Sequence, residues 1–175
     1  MPSHTISVLV ENEFGVLARV VGLFSSRGFN IQSLTVNEDP TDPTVSRIVL
    51  VTSGDEQVLE QINKQLNKLV TVIKVADFKD VETVDRELVM VKIVVDERTR
   101  SELDSIVSAF RAHVVDIGPR SVTVEINGDT GKIQAFIALV RPLGVKEVVR
   151  SGKIAMARAV QLSSDHARSR TQSVE

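Results

Sequence analysis

The residues with most to offer a ligand lie between positions 11 and 31. Asn12 and Gly15 sit in the polar turn ENEFG, which runs straight into an amphipathic stretch beginning at Val16 and Leu17, and Asn30 and Ile31 follow where that stretch ends. The start of a helix exposes backbone N–H groups and carries partial positive charge, so it can seat a small carboxylate. Gly15, having no Cβ, lets a ligand approach the backbone closely. Asn12 and Asn30 add neutral donors and acceptors, and Val16, Leu17 and Ile31 offer an aliphatic wall. Such a set suits an amino acid. It suits a plain turn equally well, with Asn12 and Gly15 shaping the chain and Asn30 capping a strand.

Other chemistry is sparse. The chain has no cysteine, which removes thiol catalysis, disulfides and thiolate metal sites. His4, His113 and His166 are far apart in sequence and are expected on the surface. Glu11 with Glu13, and Asp39 with Asp42, fall in turns, where carboxylates are ordinarily just solvated. No GxGxxG or GxxxxGK[ST] run is present to cradle a phosphate.

The elements that would position these residues follow from periodicity. TISVLV (5–10) is short, apolar and β-branched, hence a strand. From Val16 the period becomes helical, with Val16, Leu17, Val20, Val21, Leu23 and Phe24 on one broad face, and Gly28 suits the left-handed position that ends a helix. Strands at 30–37 and 45–53 flank the proline-containing turn EDPTDPT, a helix at 54–69 has Asp55 as its N-cap, and a strand fills 70–77. This β-α-β-β-α-β order is the ferredoxin-like unit. After a charged segment the order repeats: strand 86–95, helix 96–112, strands 113–118 and 121–128, a helix within 129–144, and a last strand at 145–152. The expected architecture is α+β, two tandem ferredoxin-like βαββαβ modules: a domain at 4–78, a linker at 79–85, a second domain at 86–160, and a polar tail at 161–175 expected to be disordered.

Composition narrows the function classes. The chain has 175 residues and a net charge of −2, from 21 basic and 23 acidic residues, so no strong field attracts nucleic acid or an anionic membrane. RNA-recognition modules share the topology but stack bases on strand aromatics, and SRIVLV (46–51) has none. Metal chaperones on the same fold use a cysteine pair. No apolar run approaches the roughly 18 residues of a membrane span, and the N-terminal residues lack the pattern of a secretory signal, so a cytoplasmic protein without nucleic-acid or membrane partners is expected. A ferredoxin-like sheet has helices on one face only. Strand 5–10 and strand 70–77 carry apolar side chains on both faces, which calls either for a homodimer or higher homo-oligomer, or for the second module to cover the open face.

The stretch SVLVENEFGVLARVVGLFSSRGFNIQSLTV resembles the ACT domain, and its N-x-x-G-V-L followed by G-F-N-I resembles the form found in acetolactate synthase (acetohydroxyacid synthase) small subunits. The likeness continues through DPTVSRIVLVTSGDEQVLEQINKQLNKLVTVIKV and RELVMVKI, and in the second module through VDIGPRSVTVEINGDTGKIQAFI and EVVRSGKIAMAR, covering roughly residues 4 to 158. The resemblance implies a non-catalytic regulatory subunit in branched-chain amino acid biosynthesis. Its implied partner is a large catalytic subunit that carries thiamine diphosphate, Mg²⁺ and FAD, and its implied effector is valine, with leucine and isoleucine fitting a similar pocket. The implied effector site pairs Asn12, Gly15, Val16 and Leu17 with Asn30 and Ile31 of a second protomer. After its first strand the second module reads DERTRSEL, without an N-x-x-G-V-L equivalent, so no effector site is assigned to it, only structural or subunit-contact roles. The alternatives are a stand-alone ACT-domain amino-acid sensor acting on a different enzyme or regulator, and a small autonomous enzyme, against which the missing catalytic cluster argues.

Overall fold

The computed structural model describes residues 3–159, so the expected tail at 161–175, with His166, lies outside the described residues. The first module runs β1 (Ser3–Glu11), α1 (Val16–Ser26), β2 (Ile31–Glu38), β3 (Val45–Ser53), α2 (Glu56–Leu66) and β4 (Val72–Asp77). Its four strands form an antiparallel sheet in the order β2-β3-β1-β4. The second module runs β5 (Thr83–Val94), α3 (Thr99–Phe110), β6 (His113–Ile117), β7 (Ser121–Gly128), α4 (Thr130–Val140), a 3₁₀ turn at Arg141–Leu143, β8 (Val145–Arg150) and β9 (Ile154–Ala157). Its sheet order is β6-β7-β5-β8, and β9 pairs with the first residues of β5.

Each sheet buries one face beneath its two helices. In β1, Ile6, Val8 and Val10 point inward and pack with Val16, Val20 and Phe24 of α1 and Leu59, Ile62 and Leu66 of α2. The second core repeats the arrangement with Val89, Val91 and Ile93 of β5 under Leu103, Ile133, Phe136 and Val140. Aliphatic burial of this kind is worth roughly 1.5–3 kcal/mol per large side chain. Four of the six phenylalanines are used as pairs, Phe24 edge-on to Phe29 at 5.9 Å and Phe110 to Phe136 at 5.6 Å. Gly28 takes φ 68° after α1, and the Phe29 N–H returns to Phe24 O at 2.9 Å, the hydrogen-bonded stop that its position suggested.

Four expectations need correction. The segment 79–85 is loop only in part, because Thr83, Val84 and Asp85 open β5 and pair with Ala157, Met156 and Ala155. The strand at 145–152 is not the last: β9 follows it. β4 starts at Val72, two residues late, and Val70 is fully exposed. Within it Val72 and Val75 both pack on the helix side, because a register shift opposite Leu9 and Val10 inserts an extra residue. Finally, His4 is buried, with Nε2 3.0 Å from the Gly54 carbonyl; a histidine near the start of the chain is drawn in because β1 is a central strand.

The open face of the first sheet is covered within the chain. Val49, Val51 and Ser7, which face away from the helices, are buried. Across from Val49 and Arg47 stand Val84, Arg86, Ile154, Ala155 and Met156 of the β5–β9 ribbon, with a cavity of about 240 Å³ between them. Of the two coverings the sequence left open, the intrachain one is present. The outer edge of β2 has no strand partner among the described residues.

Candidate functional site

Two of the helices are capped by aspartate side chains: Asp55 accepts from the Val58 N–H at 2.9 Å, and Asp129 from the Lys132 N–H at 2.8 Å. Helix α1 is different. Its N-cap is Gly15, with φ 81° and ψ −3°, no side chain caps it, and its first turn contains no acidic residue. The Val16 N–H reaches Glu13 O at 3.4 Å and the Arg19 N–H reaches Gly15 O at 3.0 Å. Between them, the N–H groups of Leu17 and Ala18 have no acceptor among the described residues. A pair of free N–H groups at the positive end of a helix, beside a residue with no side chain, can hold a carboxylate.

Asn12 is fixed next to this turn. Its backbone N–H donates to Thr44 O at 2.7 Å, and its Nδ2 donates to Pro43 O at 2.9 Å and to Glu38 Oε1 at 3.1 Å. Both amide hydrogens therefore tie the end of β1 to the β2–β3 turn. The side-chain oxygen remains as an acceptor, suited to an ammonium rather than to a carboxylate. That turn is ordered by local bonds of its own: Asp39 Oδ1 accepts from the Thr41 hydroxyl and N–H, and Asp42 Oδ1 does the same for Thr44. The Thr41 hydroxyl, with its N–H, holds the Asp39 carboxyl below its usual range.

The six expected site residues do not meet in one chain. Asn12, Gly15, Val16 and Leu17 cluster at the C-terminal end of β1. Val16 turns its side chain into the core and leaves only backbone at the site, whereas Leu17 is 41% exposed and is the aliphatic surface there. The neighbouring Phe14, not among the expected site residues, is fully exposed. Ile31 pairs with Thr52, and Thr52 pairs with His4, seven positions before Glu11. Asn30 and Ile31 thus lie at the other end of the sheet, about 23 Å away at the usual rise per residue. Asn30 is exposed, and its carbonyl accepts from the Thr52 hydroxyl at 2.7 Å. Among the described residues no group of three or more His, Asp or Glu side chains is placed to hold a metal ion, and no helix is long and apolar enough to cross a membrane.

A second constellation was not foreseen. The β8–β9 crossover, Arg150 to Lys153, lies against β2 and borders a cavity of about 500 Å³ between the modules, with Gln32, Ser33, Glu87 and Gln134 also on its wall. The alternation of Ser33 and Thr35 with Leu34 and Val36 in β2 was the available signal. Gly152, at the end of the strand expected at 145–152, and Lys153, just beyond it, gave none.

Residues 6–74, the βαββαβ module with the uncapped, glycine-led first helix, match the model of the AHAS small subunit-like ACT domain. Residues 86–159 match the model of the small subunit of acetolactate synthase. Over 157 residues the chain is 50% identical to a Methanothermobacter thermautotrophicus protein described as "Probable acetolactate synthase small subunit", covering 89% of this chain and 93% of that one. It is 46% identical over 156 residues to the acetolactate synthase small subunit of Mycobacterium bovis, covering 89% and 92%. The crystal structure of the Thermotoga maritima acetolactate synthase small subunit superposes with a TM-score of 0.79 at 38% identity, covering 90% of this chain and 98% of that one. The chain belongs to the acetolactate synthase small subunit family. That membership places it in branched-chain amino acid biosynthesis, with a large catalytic subunit as partner.

Proposed function

We propose that this chain is the non-catalytic regulatory subunit that activates the acetolactate synthase large subunit and makes it sensitive to valine. The thiamine diphosphate, Mg²⁺ and FAD chemistry belongs to the large subunit in this scheme. The observation that carries the proposal is the bare N-terminus of α1. Two free N–H groups face the position over Gly15, the unused oxygen of Asn12 is close by, and the exposed Leu17 side chain offers apolar contact. An α-amino acid matches this set, with its carboxylate on the N–H groups, its ammonium on the Asn12 oxygen, and an aliphatic side chain against Leu17.

The distance between Asn12 and Asn30 supports a two-chain site. Antiparallel pairing of two β2 edges about a two-fold axis brings Asn30 and Ile31 of one chain towards the Glu38 end of β2 in the other, which Asn12 holds through its amide. Effector bridging the two chains would tighten one arrangement of the modules over another. Coupling of about 1–3 kcal/mol suffices for feedback control.

Reconstitution tests the proposal. Acetolactate formation by the large subunit is measured with and without this chain, then with valine added. The key variant is Gly15→Asp. Nothing lies within 4 Å of where its Cβ would stand, and Asp is one of the few residue types that tolerates a left-handed backbone, so the fold should survive. Its carboxylate then occupies the ligand's seat. Valine affinity should fall at least tenfold, the equivalent of ~1.4 kcal/mol, while activation persists. Unchanged valine inhibition in this variant would place the site elsewhere. Valine binding without any stimulation of the large subunit would instead favour a sensor acting on another enzyme.

A further inference from the structure

The two modules are joined by more than the chain between β4 and β5. Lys153, just after β8, donates its backbone N–H to Ser33 Oγ at 3.2 Å, and Thr35 Oγ1 lies 3.3 Å from the Lys153 carbonyl. Ser33 and Thr35 belong to β2, which begins at Ile31 in the expected effector site. Gly152, immediately before Lys153, has φ 86°. A Cβ there would stand 2.7 Å from Thr35 Cγ2 and 2.9 Å from Ser33 Oγ, so only glycine lets the two backbones approach this closely.

The same short crossover is anchored on its other side to β5. Arg150 Nε donates to Glu87 Oε1 at 2.9 Å, the Ser151 N–H reaches Leu88 O at 3.0 Å, the Leu88 N–H reaches Ser151 Oγ at 3.1 Å, and Lys153 Nζ sits 3.0 Å from Asp85 Oδ2. Four consecutive residues thus link the edge strand of the first module to the central strand of the second. We infer that this seam, Ser33 and Thr35 of β2 against Gly152 and Lys153, carries the effector signal from the ACT module to the C-terminal module. The inference rests on the functional reading above and adds a route to it. A shift of β2 at its Ile31 end changes the placement of Ser33 two residues later, and through Lys153 the placement of β5. Bistable packed elements, not gradual deformation, pass such shifts onward.

The test uses the full chain, valine and the large subunit. In the Ser33→Ala/Thr35→Val double variant the shape of β2 is kept and the two bonds to Lys153 are lost. Valine binding, measured by calorimetry on the small subunit, should stay within about twofold of wild type, and stimulation without valine should persist. Valine inhibition should drop from about fivefold or more to under about twofold. Gly152→Ala, which presses on the seam from the opposite side, should give the same pattern. Amide exchange of Lys153 in the wild-type small subunit reports directly, because its N–H donor lies in the seam: valine should change it, and the double variant should lose that response. A wild-type chain that neither binds valine nor stimulates the large subunit sinks the functional reading and this inference with it. A wild-type chain that does both, with variants inhibited as strongly as wild type or with Lys153 exchange indifferent to valine, overturns the seam alone. Loss of valine binding in both variants also overturns it, since the seam would then be part of the effector site.

Discussion

Arg150 grips Glu87 with two prongs, Nε on Oε1 at 2.9 Å and Nη2 on Oε2. The carboxylate is buried at 7% exposure, while the arginine side chain is 46% exposed. The Glu87 hydrogen bonds raise the Arg150 pKa further above its already high value. Arg150→Met strands a buried carboxylate beside the inter-module cavity and should cost about 3 kcal/mol. Glu87→Gln keeps a hydrogen-bond partner and should cost less than half of that. Urea unfolding of the two variants checks the order, and equal losses would mean that the pair is not held by burial of Glu87.

Asn12 makes a prediction of a different kind. Its amide hydrogens hold Pro43 and Glu38, so Asn12→Asp replaces two donors with a carboxylate facing the Glu38 carboxylate. Stability should fall by about 1–2 kcal/mol, from lost hydrogen bonds and like-charge contact. Valine affinity should also fall, because the β2–β3 turn and the site share this residue. Asn12→Ser, which keeps a polar group but cannot span both partners, should lie between. If Asn12→Asp unfolds at the wild-type urea midpoint, the amide is not what fixes the turn.

The fold was largely legible because the sequence changes period cleanly. The alternation of Ile6, Val8 and Val10 and the helical spacing of Val16, Val20 and Phe24 each name a buried face, and the cores use those residues. What escaped was set by long-range pairing. Ile154–Ala157 is too short to declare itself as a strand, and it exists because Thr83–Arg86 offers a partner edge. Val75 turns inward because of a register shift that only the neighbouring β1 imposes. His4 looked peripheral by position, but its strand is central. The candidate site was legible only by halves. Asn12, Gly15 and Leu17 gather as local chain geometry requires, and Val16 joins them by backbone alone. No local pattern says that Asn30 lies at the far end of the same sheet.

The contrast in capping leads to a measurable asymmetry between helices. Asp55→Ala and Asp129→Ala each remove a side-chain cap and should each cost about 1 kcal/mol. Gly15→Ala removes no cap, yet it forces a Cβ onto a backbone at φ 81° and should cost about 1–2 kcal/mol. The helix-1 change should also leave the start of α1 faster in amide exchange, with α2 and α4 unaffected. A stabilised Gly15→Ala variant would show that the left-handed turn is not required.

Asp96 supplies a pH test with a definite sign. The N–H and hydroxyl of Thr99 both donate to its Oδ1, at 2.8 and 2.9 Å, and the Arg98 N–H does so at 2.9 Å, organising the turn that leads into α3. These bonds favour the ionised form, the Thr99 backbone bond most, so the carboxyl titrates below its usual value of 3.8 in the folded chain. A folded-state value below the unfolded one means that the contribution is complete above the unfolded pKa. It is lost as pH falls through the folded one. As pH falls below the usual value of 3.8, wild type should therefore lose stability more steeply than Asp96→Asn, which cannot titrate there. The group is exposed, so the difference is a change of slope in urea midpoint against pH and not a collapse of the fold. Parallel slopes for the two proteins would remove Asp96 from the acid response and leave the Thr99 bonds as geometry without thermodynamic weight.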